Sequence, residues 1–304
     1  MSRVLVYQAN SVQGSATARA VQQAGYTTRV LIRNRSTEES LLKSGFEVAV
    51  ADLLDREALR RAHESVDQVV LQIPAYSDAF ASQAIDNAAS ALETMGVQSA
   101  VIKMANPTPA RSWPNSGFSV NAILLDRMRT SAVPFCVVEP TMYLDTFLKP
   151  NFRHEIGRLH VIDLPLPEGL RVAWTTVDDA AWLAALLLRD NPCGGAVRCA
   201  GAESHAGPEL AAMFSAVLNK KIDYRATPIE EFQREIEAAI GPGAAAPVVA
   251  KFRLLSGYPD EAANLLSHSH RSDLLPNQFT HTRARDWIWQ NRSAFDGTTS
   301  VHPG

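Results

Sequence analysis

Residues 3–140 alternate short apolar runs with segments whose apolar positions recur every three or four residues. The runs are Val4–Tyr7, 28–33, 46–53, 67–74, 99–105 and 134–140. Several of them are apolar at successive positions. Such a run suits a strand covered on both faces, as in a parallel sheet between helical layers. The intervening segments read as helices over Ser15–Ala24, 37–45, 55–65, Asp78–Met95 and 119–130. Gly25, Gly45 and Gly96 stand where three of them should stop. Strand, helix, strand in this rhythm demands right-handed crossovers and leaves few alternatives to a doubly wound parallel sheet.

After Pro140 the rhythm changes. "VAWTTVDDAAWLAALLLRD" (172–190) reads as a strand entering a long helix, and "CGGAVRCAG" (193–201) as a strand after a glycine turn. Residues 205–228 read as helix then strand, "IGPGAAAP" (240–247) as a flexible bend, and 279–294 as a last helix before a polar tail. The change of rhythm divides the chain into a doubly wound domain over 1–150 and a second region over 151–304. Residues of about 172–200 are expected to pack back on the first domain.

The 304 residues carry a formal net charge of −3, with 46% hydrophobic and 20% charged residues. No lysine/arginine block marks a nucleic-acid arm. Three cysteines, Cys136, Cys193 and Cys199, form no CxxC pair and read as reduced thiols. No apolar run reaches the roughly 18 residues of a membrane span. A cytoplasmic protein is expected. His268 and His270 have no companion ligands at metal-site spacing, so no metal is expected.

The most informative stretch is "VLVYQANSVQG", residues 4–14: a strand, a loop, and the start of a small-residue helix. In a dinucleotide fold this loop carries the pyrophosphate, and the helix N-terminus offers it N–H groups and a positive dipole end. Arg33 ends the second strand, where NAD-binding proteins place an acidic residue; an arginine there suits the extra phosphate of NADP. A pair of solvated basic side chains, Arg33 and Arg35, is the alternative. At the strand ends Lys103, Asn106, Tyr76, Glu139, Tyr143 and Asp145 could form a site or be solvated loop residues. Lys103, flanked by Val101, Ile102 and Met104, must reach the cleft or a carboxylate such as Glu139.

The opening strand–loop–helix with "TRVLIRNRS", then "VAVADLLDREALRRAHESVDQVVLQIP", "VPFCVVEPTMYLDTFL", "WTTVDDAAWLAALLL" and "GAESHAGPELAAMFSAVLNKKIDYRATPIEEF" resemble the NmrA-like group of atypical short-chain dehydrogenase/reductases. The resemblance spans nearly the whole chain. It implies a Rossmann-like doubly wound parallel sheet as a dinucleotide-binding domain over 1–150, a smaller, mainly substrate-binding C-terminal α/β region over 151–304, and bound NADP(H). The group includes reductases, quinone and dye reductases, and proteins that bind NADP(H) without turnover.

The group's GxxGxxG loop places its glycines at Gln8, Ser11 and Gly14, so only the packing glycine remains. The implied cofactor-binding residues are Gln8, Asn10, Ser11, Val12, Gly14, Arg33, Asp52 and Ile73. The related Ser…Tyr-x-x-x-Lys set falls on Ala105-Asn106, Phe118 and Ala122, none of which can move a proton. Candidate catalytic residues are instead Lys103, Glu139 and Tyr143. The reading is an NADP(H)-binding oxidoreductase or redox sensor acting on a small quinone-like or conjugated molecule. Its alternative is a cofactor-independent lyase, hydratase or isomerase, or a ligand-binding protein using the vacated cleft. A homodimer is a possible assembly.

Overall fold

In the computed structural model the described residues are 2–109, 113, 116–190, 195–267 and 275–296. Cys193, His268 and His270 lie outside them. The first half runs β1 (Arg3–Val6), α1 (Val12–Gln23), β2 (Thr27–Ile32), α2 (Glu38–Lys43), β3 (Glu47–Val50), α3 (Arg56–Ala62), β4 (Gln68–Leu71), α4 (Asp78–Thr94), β5 (Ser99–Lys103), α5 (Ser119–Arg129) and β6 (Phe135–Pro140). The second half runs β7 (Met142–Tyr143), α6 (Pro150–His154), β8 (Val161–Leu164), β9 (Trp174–Thr175), α7 (Val177–Asp190), β10 (Gly195–Cys199), α8 (Gly207–Leu218), β11 (Asp223–Ala226), α9 (Ile229–Ile240), α10 (Pro242–Gly257), α11 (Pro259–Leu266) and α12 (Ala284–Asn291).

The chain divides into two units. The first comprises the described residues of Met1–Pro140, Val177–Cys199 and Ser269–Thr280. Its seven strands are ordered β10-β6-β5-β4-β1-β2-β3, and every pairing is parallel. Helices α3, α4 and α5 cover one face; α1 and α7 pack together on the other. This is the Rossmann-like doubly wound fold. The chain winds outward through β2 and β3, then returns to lay β4 on the other side of β1. The strand order therefore reverses between β1 and β4, where such sheets open a crevice for ligands.

Helix α1 starts at Val12, three residues before the periodicity alone suggests, because Ser11 caps it. The Ser11 Oγ accepts from the Gly14 N–H at 3.0 Å. At Gly14 α1 meets the turn that precedes it. A Cβ there would stand 2.0 Å from the Gln8 carbonyl oxygen, closer than any real contact. Ala16, Ala18, Ala20 and Val21 continue the buried face, matched on α7 by Ala180, Ala181, Ala184 and Ala185. Small side chains on both helices let them approach closely.

On the other face, Tyr7 and His63 form a buried pair. Tyr7 follows β1 and His63 ends α3, and both are fully buried. The His63 Nδ1 lies 2.8 Å from the Leu59 carbonyl oxygen, so this nitrogen carries the proton, and Nε2 accepts from the Tyr7 hydroxyl at 3.3 Å. Burial pushes the Tyr7 hydroxyl far above its ordinary value and holds the His63 imidazole down at about 4, against an ordinary 6.5.

The second unit comprises the described residues of Thr141–Thr176, Ala200–His268 and His281–Gly304. An aromatic cluster centres it. Phe147 meets Trp174, Phe214 and Phe152 at ring separations of 5.3, 5.4 and 5.6 Å, and Phe214 meets Phe295 at 5.4 Å. One expectation fails here. The "IGPGAAAP" stretch is not a flexible bend: only Gly241 turns, with φ +80, and residues from Pro242 onward are helical in α10. Pro242 occupies the first turn, where its missing N–H costs nothing, and the alanines that follow are strong helix formers.

Two outcomes follow for stability. Gly14→Ala should lose about 1–3 kcal/mol through overpacking against the Gln8 carbonyl, read by urea denaturation; an unchanged midpoint would contradict the contact. His63 binds fewer protons in the fold than in the unfolded chain between pH 6.5 and about 4. Its contribution is therefore complete above pH 6.5 and is lost as pH falls toward 4. The stability gap between the wild type and a Tyr7→Phe/His63→Leu variant should shift by roughly 2–3 kcal/mol between pH 7 and 4.5, against the wild type. A gap independent of pH would contradict a neutral buried imidazole.

Candidate functional site

At the strand-order reversal lies a cleft of about 230 Å³. Four strand ends supply it: Gln8, Asn10 and Ser11 after β1; Leu31, Ile32 and Arg33 at β2; Ala51, Asp52 and Leu53 after β3; Pro74 and Tyr76 after β4, with Phe80 from the first turn of α4. The volume is below the roughly 300–1,000 Å³ of sites that enclose a drug-sized ligand, and suits a nucleoside rather than a whole dinucleotide. Its lining is mixed: the loop, Arg33 and Asp52 supply polar groups, and Leu31, Leu53, Pro74, Tyr76 and Phe80 supply apolar surface.

The loop keeps a glycine-type backbone without its glycines. Gln8, at the first glycine position, has φ +58. This left-handed conformation costs an ordinary residue about 1–2 kcal/mol. It holds because its surroundings fix it. The Ser11 N–H donates to the Gln8 carbonyl at 2.9 Å, and the Ala9 N–H donates to the Leu31 carbonyl at 3.3 Å. Ser11, at the second glycine position, is small and spends its hydroxyl on capping α1.

Arg33 is exposed and has no hydrogen-bond or ion-pair partner among the described residues, whereas Arg35 is held by Glu38 at 2.6 Å. A cation on the cleft wall without a protein partner is available to an anion. The Asp52 Oδ1 accepts from the Leu54 N–H at 2.8 Å, which fixes its carboxylate at the turn after β3. Of the eight residues expected at the cofactor, Gln8, Asn10, Ser11, Arg33 and Asp52 line the cleft. Val12, Gly14 and Ile73 do not. Val12 is 71% exposed in the first turn of α1, Gly14 is used in packing, and Ile73 is buried in the core. Phe80 was not singled out in the sequence. Its signal is its spacing from Tyr76, one helical turn, and the two rings meet edge to face at 5.1 Å.

Lys103 does not reach the cleft or Glu139, as the sequence suggested. It is 1% exposed, and its Nζ donates to the Gln13 Oε1 at 2.7 Å. Burial pulls its ammonium down to about 7 from an ordinary 10.5, with the nearby Cys199 acting the other way. Glu139, equally buried, accepts from the Thr108 N–H at 3.2 Å and from the Arg198 Nη2 at 3.4 Å. A buried carboxylate tied to an arginine and a backbone amide serves the sheet's end rather than an open site. Tyr143 is half-buried in β7 of the second unit. The structure therefore does not gather Lys103 and Glu139 into one catalytic group.

Phe118 is buried at the entry to α5, where Ser119 donates from its Oγ to the Asp78 Oδ1 at 2.5 Å. The Asn121 side chain donates to the Asn106 carbonyl at 2.8 Å and ties α5 to the loop after β5. Neither Phe118 nor Ala122 offers a proton. Among the described residues no cluster of His, Cys, Asp and Glu could hold a metal ion, and no helix is long and apolar enough to cross a membrane.

Known proteins share this architecture. The chain is 24% identical over 267 residues to the NAD(P)H azoreductase of Xenophilus azovorans, covering 86% of this chain and 90% of that protein. Its fold matches the triphenylmethane reductase of Citrobacter sp., solved with NADP(H), with TM-score 0.78 and 19% identity over 95% of this chain and 99% of the other. It also matches the NADPH-dependent quinone oxidoreductase QOR2 of Escherichia coli, solved with NADPH, with TM-score 0.77 and 16% identity over 94% and 99%. At these identities the two structures speak for the fold. The model of the NmrA-like family matches residues 1–271, and the chain belongs to that family.

Proposed function

We propose that the chain binds NADPH and is an oxidoreductase that reduces a quinone-like or otherwise conjugated small molecule by direct hydride transfer. The observation that carries the reading is Arg33: an arginine without a partner among the described residues, on the wall of a cleft whose loop still holds a glycine-type turn at Gln8. In this reading Arg33 meets the 2′-phosphate, Asp52 and the apolar side chains of Leu31, Leu53 and Pro74 take the adenosine, and the first turn of α1 faces the pyrophosphate. The residues of the cleft fit the adenosine half of the cofactor in charge and shape.

The nicotinamide supplies the hydride. This chain's part is then to bind, orient and exclude water. Carbonyl reduction through a tyrosine–lysine pair is disfavoured by Phe118 and Ala122. A conjugated acceptor, which accepts a hydride without a protein proton donor in contact, is compatible with both. The azoreductase, triphenylmethane reductase and quinone oxidoreductase act on acceptors of this kind, as their names state. The same reading puts the protein in the cytoplasm, with Cys136 and Cys199 buried and outside any disulfide.

Calorimetric titration with NADPH and NADH tests the binding half. Arg33→Ala should weaken NADPH about 10- to 100-fold, the worth of a charge-assisted contact of about 1.5–3 kcal/mol, and leave NADH unchanged. Equal losses for both cofactors would contradict the assignment of Arg33. For the catalytic half, NADPH oxidation at 340 nm should be driven by a quinone or an azo or triphenylmethane dye, and not by a simple aldehyde. Binding with no turnover on any conjugated acceptor would point to the sensor reading instead.

A further inference from the structure

Resting on the NADPH reading above, we infer that Tyr76, braced by Phe80, is the face on which the cofactor's adenine stacks. A single exposed ring is ordinary on a protein surface. This one is set apart by its place and by how it is held. Tyr76 is 59% exposed and lines the cleft at the strand-order reversal. Its N–H donates to the Pro74 carbonyl at 3.2 Å, and Pro74 has a fixed φ of its own. Ser77 follows as the cap of α4, its Oγ accepting from the Phe80 N–H at 3.2 Å. Phe80 packs on the core of the first unit, and its ring meets that of Tyr76 edge to face at 5.1 Å and 64°. The Tyr76 hydroxyl has no hydrogen-bond partner among the described residues. The ring is therefore held by its neighbours while most of its surface stays open. A rigid ring with two torsions, already in place, loses little entropy when a flat ligand covers it.

The size of the cleft decides which flat group that is. Arg33 at the end of β2 and Tyr76 after β4 line the same space of about 230 Å³, room for a single nucleoside. The nucleoside whose 2′-phosphate meets Arg33 is then the one that lies against Tyr76, and in NADPH that nucleoside is adenosine. None of the described residues lining the cleft comes from β5 or β6, so the nicotinamide end lies outside it. Arg33 and Tyr76 divide the work: the guanidinium takes charge, and the ring takes the apolar area and π-face of the base. A conjugated electron acceptor stacked on Tyr76 is the competing occupant, and it makes no use of Arg33.

The test is calorimetric titration with NADPH and with 2′,5′-ADP, which carries the adenosine and its 2′-phosphate but no nicotinamide. Tyr76→Ala should weaken both ligands by the same factor, about 5- to 100-fold, the worth of a stacked base of about 1–3 kcal/mol. Tyr76→Phe keeps the ring and should bind both as the wild type does. A third measurement needs no variant: a saturating quinone, menadione, should leave the wild-type Kd for 2′,5′-ADP unchanged. An unchanged Kd for 2′,5′-ADP in Tyr76→Ala, a loss confined to NADPH, or displacement of 2′,5′-ADP by menadione would overturn the inference and leave the NADPH reading standing. Failure of both NADPH and 2′,5′-ADP to bind the wild type at millimolar concentration would overturn both.

Discussion

The close approach of α1 to the turn before it governs the rest of the site. Gly14 lies where any side chain would strike the Gln8 carbonyl, so the helix sits down on the loop and the loop cannot relax. That contact keeps Gln8 in a left-handed conformation which an unconstrained glutamine would leave. Tyr7 and His63, buried immediately before the loop, fix the end of β1 from the other face of the sheet. The dinucleotide-type turn is thus held by packing rather than by the freedom of its own residues. Two glycines can be absent and the backbone path remain.

The same argument separates what the chain has kept from what it has given up. The elements that the proposed reading uses for binding, at the ends of β1, β2, β3 and β4, are present: the turn, the cleft, Asp52 and a cation at Arg33. Proton-transfer elements on α5 do not. An enzyme with the first set and without the second can hold a hydride donor against an acceptor that needs only positioning. Polar groups buried near the sheet's end are bound to one another instead. Glu139 is held by Arg198 and Thr108, and Lys103 by Gln13. Strand-end position alone therefore does not bring Lys103 and Glu139 together.

The parallel sheet was legible because its strands are apolar on successive positions and its helices carry glycine stops; these are local signals with a single global solution. The strand-end lining of the cleft was legible too, since Gln8, Asn10, Ser11, Arg33 and Asp52 each lie at the end of a strand the pattern identifies. Three features were not. The helical start of α10 was hidden by Gly241 and Pro242, which read as breakers until their positions at a cap and a first turn are known. Gln13 carried no signal of its own, because its bond to Lys103 appears only once β5 and α1 are brought together. Val12, Gly14 and Ile73 sit at positions that belong to a nucleotide loop in sequence, yet exposure, packing and core burial take them off the cleft wall. Spacing along a chain specifies neighbours in sequence; which face a side chain presents is decided by the packing.

The central claim is that the turn at Gln8 still receives a dinucleotide. A crystal structure determined from protein saturated with NADPH tests it most directly. The account predicts Gln8 unchanged in its left-handed conformation, the pyrophosphate on the first turn of α1, and the 2′-phosphate within hydrogen-bond distance of Arg33. Crystals that show no nucleotide at millimolar NADPH, or a nucleotide bound away from this cleft, would contradict it.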